Sequence, residues 1–135
     1  MHVLRQIHKA LNPLGLLLDI HPQPEDPRVE IERADQTVPI GRIDSTEDNQ
    51  EIREARKRLA LIQCEGLFRL EGKRFFDLRV YHESVDAWFE YRREKGATSV
   101  VAPSVLRAAR RELRSGEGQV VVIERVRASA LRRCE

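Results

Sequence analysis

The chain has 135 residues, 41% of them hydrophobic, which supplies one hydrophobic core and predicts a single domain over residues 1–135. Its 24 basic and 22 acidic side chains nearly cancel, so bulk charge gives no drive toward nucleic acid or membrane. No apolar run approaches the roughly 20 residues that span a bilayer, no basic-then-apolar leader opens the sequence, and Cys64 and Cys134 form no CxxC pair or disulfide framework, so a cytoplasmic protein is expected.

Val3, Leu4, Ile7 and Leu11 recur at helical spacing and predict a first helix. It stops at Asn12-Pro13-Leu14-Gly15, because proline disfavours helical conformation in the residue before it. Leu16-Leu17-Leu18-Asp19-Ile20 is a short apolar run without alternation, which predicts a central strand covered on both faces. His21 to Pro27 holds three prolines and reads as a stiff loop leaving that strand. Val29 and Ile31, then Val38 and Ile40, alternate with polar residues around a turn at Arg33 to Gln36, the pattern of a hairpin. Pro39 places its strand at an edge or a bulge.

Ser45-Thr46-Glu47-Asp48 resembles a capping box, and Ile52, Ala55, Leu59 and Ile62 mark one face of a second helix from about Thr46 to Gln63. Gly66 opens a second hairpin, with Phe68 and Leu70 before a turn at Glu71-Gly72-Lys73 and Phe76, Leu78 and Val80 after it. Ser84 is a good N-cap for a third helix that buries Val85, Trp88 and Phe89 and ends at Gly96. Pro103 opens a fourth helix carrying Val105, Leu106, Ala109 and Leu113. Gln119 to Arg127 is the last strand, followed by a polar tail. Four helices and about six strands in one α/β-type domain are therefore expected.

The opening helix, the turn Asn12-Pro13-Leu14-Gly15 and the strand Leu16 to Ile20 resemble the helix, Lys-Pro-Gly-Gly turn and fifth strand of class I S-adenosylmethionine-dependent methyltransferases. Pro13 and Gly15 match the turn, whereas Asn12 and Leu14 depart from its Lys and first Gly. The strands around Phe75 to Tyr81 and Gln119 to Arg127 correspond to the sixth and seventh of that family. The resemblance implies a partial Rossmann-like domain with a mixed sheet, the carboxyl-terminal half of the family fold. The donor-binding half, a glycine-rich loop after the first strand and an acid ending the second, would precede Met1. The glycines here are scattered at turns, and Gly116-Glu117-Gly118 precedes a strand instead of linking strand to helix, so no cradle for a nucleoside is recognisable. No cofactor is expected on these residues; S-adenosylmethionine enters only with a donor-binding half.

Asp19 and His21 fall on one side of the strand at period two, an acid beside an imidazole, and a strand end of this type borders the substrate cleft in the resembled family. They are the catalytic candidates; the alternative is a solvated strand end. His82, before the N-cap Ser84, reads foremost as a hydrogen-bonded junction histidine. Arg107, Arg110, Arg111 and Arg114 follow i, i+3, i+4, i+7 spacing and share one helical face, which fits either anion or nucleic-acid binding or a solvated surface. No group of His, Cys, Asp and Glu has metal-ligand spacing.

The expected function is that of a methyltransferase-like protein inert as an enzyme on its own. In the family the fifth strand lies between a fourth strand and an antiparallel seventh, so the edge of Leu16 to Ile20 needs a partner, a second copy or a separate methyltransferase-like chain. The alternatives are an anion-binding module using the arginine face, and a small enzyme built around Asp19 and His21.

Overall fold

The computed structural model describes residues 2–135. Its elements are α1 (His2–Ala10), β1 (Leu16–Pro22), β2 (Arg28–Glu32), β3 (Thr37–Arg42), α2 (Thr46–Cys64), β4 (Phe68–His82), α3 (Val85–Glu94), α4 (Pro103–Arg114) and β5 (Gln119–Arg133). Four helices accompany an open antiparallel sheet of five strands, so the fold is α/β with one strand fewer than expected. β5 organises the sheet: it pairs with β1, β2 and β4, while β3 pairs with β2.

The missing strand is the predicted turn at Glu71-Gly72-Lys73, which is continuous strand within β4. Gly72 does not adopt a positive φ. Glu71 is held in line by Arg132 of β5, whose Nε and Nη2 donate to the two carboxylate oxygens at 2.8 and 2.7 Å. The predicted polar tail is likewise strand. Residues 126 to 132 pair antiparallel with β1, from Pro22 opposite Val126 to Leu16 opposite Arg132.

The chain packs as two compact units, one of Met1–Pro24, Gln50–Phe76 and Val126–Glu135, the other of Glu25–Asn49 and Asp77–Arg125. In the first, Leu4, Ile7 and Leu11 from α1 and its end pack with Leu17 against buried Leu59, Ile62, Phe68 and Leu131. Gly66, at φ +75°, terminates α2, its backbone N–H donating to the Gln63 carbonyl while that of Leu67 reaches back to Ile62. The expectation that β1 is covered on both faces fails. Leu17 turns inward, but Leu16, Leu18 and Ile20 are exposed. A run in which both alternate sets are apolar does not say which set is covered.

In the second unit α3 and α4 supply Val85, Trp88, Val105 and Ala109 to a core completed by Val29, Ile31, Ile43 and Val120. Ser84 caps α3, its Oγ accepting from the Ala87 N–H at 3.0 Å. Pro39 lies at a register shift between β2 and β3, where Val29 faces Gly41 and Glu30 faces Pro39. Glycine at 41 is required by close approach, since a Cβ there would sit 2.8 Å from the Val105 side chain. The start of α2 is held by two aspartates. Asp26 Oδ1 accepts from the Ser45 N–H and the Asn49 amide, and Asp44 Oδ1 accepts from the Thr46 N–H and hydroxyl.

Candidate functional site

Period-two alternation along β1 brings Asp19 and His21 to the same face as Leu17. Asp19 Oδ2 and His21 Nδ1 approach to 2.7 Å, an ion-pair distance without the alignment of a hydrogen bond. Both side chains are largely covered, and His21 Nε2 is buried without a partner. Across the ladder Asp19 faces Ser129, which is buried and whose Oγ accepts from Arg127 Nε at 3.0 Å. The pair is thus packed into a covered polar layer. Neither side chain lines the groove beside Leu18 and Ile20 or the cavity beside α3.

The four arginines of α4 are exposed, opposite buried Val105 and Ala109, as their spacing requires. Arg110 approaches Asp86 at 3.7 Å. Arg107, Arg111 and Arg114 have no carboxylate partner among the described residues.

A better-formed site lies inside the second unit. A cavity of about 270 Å³ opens beside α3, walled by Leu78, Val80, Trp88 and Val122. Its polar lining includes Asp48, His82, Tyr91, Arg92, Lys95 and Glu124 beside the hydroxyl residues Ser45 and Ser99. His82 ends β4 and stacks obliquely on Tyr91, centroid to centroid 5.0 Å; burial holds the ring below its ordinary pKa. Burial, reinforced by the charge of Asp48, pushes the Glu124 carboxyl above its usual range.

Sequence reading reached His82 but not Glu124 or Asp48. The signal for Glu124 was an acid following Val120-Val121-Val122-Ile123 inside a strand, where a charge is costly unless partnered. Asp48 looked like part of a helix start and gave no sign of facing a cavity.

The first unit carries a different feature, an uncovered sheet face. Leu16, Leu18 and Ile20 are 43, 64 and 61% exposed. Their ladder partners on the same face are Arg132, Ala130 and Ala128. A shallow groove runs beside this ridge, lined by Leu18, Ile20, Gly72, Ala128 and Ala130 and edged by Lys73 and Arg74. No described helix is long and apolar enough to cross a membrane.

Comparison with protein-family models, with curated proteins and with solved structures finds no match to this chain.

Proposed function

We propose that residues 1–135 form the carboxyl-terminal half of a class I methyltransferase fold, hold no methyl donor themselves, and work as a homodimer joined through the open face of β1 and β5. The observation that carries the family reading is the turn at Asn12-Pro13-Leu14-Gly15. Its Gly15 N–H donates to the Asn12 carbonyl at 2.8 Å, Pro13 stands at the second position, and Leu14 adopts φ +61° at the third. A positive φ at that position belongs to a type II turn, where glycine is the preferred residue. Leu14 stands where the Lys-Pro-Gly-Gly pattern has its first glycine and takes the conformation that glycine favours. The antiparallel pairing of β1 with β5 also supports the reading, because the family sets its seventh strand antiparallel to its fifth.

Donor binding needs a backbone cradle that clustered glycines make possible. In these residues the glycines stand at separate turns and strand positions, so the chain on its own is not expected to bind S-adenosylmethionine or to transfer a methyl group. The occupant of the open face is argued from its shape. Leu18 and Ile20 form a ridge, and Gly72, Ala128 and Ala130 floor the groove beside it. A twofold axis between two such faces seats each ridge in the other's groove, the self-complementarity that an isologous dimer requires.

Two measurements test the proposal. Calorimetric titration with S-adenosylmethionine is expected to show no binding tighter than about millimolar, and a micromolar constant overturns the donor-free reading. Sedimentation equilibrium is expected to show a dimer, and a monomer throughout the micromolar range overturns the assembly. A second reading, an anion-binding surface, is favoured by the absence of carboxylate partners at Arg107, Arg111 and Arg114. Heparin retention that survives replacement of Arg107, Arg110, Arg111 and Arg114 by glutamine removes it.

A further inference from the structure

The cavity beside α3 is lined by two acids and two cations, and each cation contacts another residue of the lining. Arg92 Nη1 donates to Ser99 Oγ at 3.0 Å, its Nη2 bonds the Ser99 carbonyl, and its guanidinium lies 5.9 Å from the Phe89 ring centroid. The Lys95 ammonium sits over the Tyr91 ring at 5.6 Å. Burial disfavours the charged form of His82. Glu124 and Asp48 are left with no hydrogen bond or ion pair among the described residues.

A half-buried carboxylate without a donor is an unfavourable arrangement that the fold has not relieved from within. Beside it, Leu78, Val80, Trp88 and Val122 present an apolar wall. We infer that this cavity is a binding site for a small organic cation, a primary amine with an apolar body. The ammonium is recognised by Glu124, with Asp48 adding long-range attraction, and the body lies against Leu78, Val80 and Val122. The volume lies just below the range of about 300–1,000 Å³ typical of drug-sized ligands, which sets the size at an arylalkylamine such as phenethylamine. Binding favours the charged form of the carboxyl, whose affinity for a proton burial raises, so affinity for the amine falls as pH falls. The site lies wholly within one unit and is independent of the proposed dimer.

The test titrates the whole chain with phenethylamine, 2-phenylethanol and 3-phenylpropionate, which share a ring and differ in charge. Calorimetry at a series of pH values from 7 down to 5 reads affinity and its pH dependence. The amine is expected to bind, less tightly as pH falls, and the alcohol and the acid to bind far more weakly at pH 7. Glu124→Gln keeps the shape and removes the charge; it should weaken the amine at pH 7 roughly ten- to a hundredfold. Asp48→Asn, at an exposed position, should weaken it less. Circular dichroism confirms that each variant is folded. Equal affinity for amine and alcohol, an unchanged affinity in folded Glu124→Gln, or no binding of the amine up to its solubility limit overturns the inference.

Discussion

Replacing Leu18 and Ile20 together by serine tests the open face directly. The two side chains are 64 and 61% exposed, so most of their area is still free to be removed from water. Fully burying a residue of this size is worth about 2 kcal/mol, so covering the exposed remainder contributes about 2.5 kcal/mol per copy and about 5 kcal/mol for a twofold pair. Losing that term weakens association by between three and four orders of magnitude at about 1.4 kcal/mol per factor of ten. The monomer loses far less, since only about a third of each side chain is already covered, a cost of roughly 1.5 kcal/mol on the same scale. Sedimentation equilibrium across the micromolar range, paired with urea unfolding, separates the two effects. A double variant that assembles as the wild type does refutes the reasoning, and so does a wild type that is monomeric throughout.

Three further outcomes follow from local chemistry. Burial lowers the His82 pKa from 6.5 in the folded chain, so below about pH 6.5 the unfolded state binds the proton more readily and stability falls as pH falls; His82→Gln should flatten that part of a stability–pH curve. Asp26→Ala leaves the buried Ser45 and Asn49 donors without their acceptor and should cost about 2–4 kcal/mol in urea unfolding, whereas Asp26→Asn, which keeps an acceptor oxygen, should cost about half of that or less. Gly15→Ala would place a Cβ 2.8 Å from the Asn12 carbonyl oxygen and should cost roughly 1–3 kcal/mol by thermal unfolding, while Gly72→Ala meets nothing within 4 Å and should be neutral or slightly stabilising. Equal effects at the two glycines would mean that the turn adjusts and is not fixed by its backbone contact.

Local signals were legible where local chemistry decides the outcome. Ser84 and Gly96 bracket α3 because a cap and a left-handed residue act within one turn, and Pro103 opens α4 for the same reason. The alternation at Val29, Ile31, Val38 and Ile40 located the hairpin, and Pro39 correctly marked its irregular pairing. What failed depends on contacts far apart in sequence. Glu71-Gly72-Lys73 has the composition of a turn, but Arg132 lies 61 residues away and fixes Glu71 within the strand. That contact also holds the Glu71 carboxyl down at a pKa of about 2. The segment after Arg127 looks like a tail until β1 is laid beside it. Glu124 could be noticed as an acid in an apolar strand, but its neighbour Asp48 is set there only by packing.

The two faces of β1 bring these lines together. In a strand with one face covered, apolar side chains normally turn to the cover and polar ones to water. Here the pattern is inverted. The covered side carries Asp19 and His21 after Leu17, with buried Ser129 across the ladder, and the open side carries Leu16, Leu18 and Ile20. A slip of one residue would exchange the faces, so the register chosen leaves three large aliphatic side chains outward at the cost of covering two polar ones. The ladder from Leu16–Arg132 to Pro22–Val126 defines that register. An arrangement costly to an isolated monomer is stabilised when the outward row is covered. The same inversion that covers Asp19 and His21 leaves Leu18 and Ile20 free for the proposed interface.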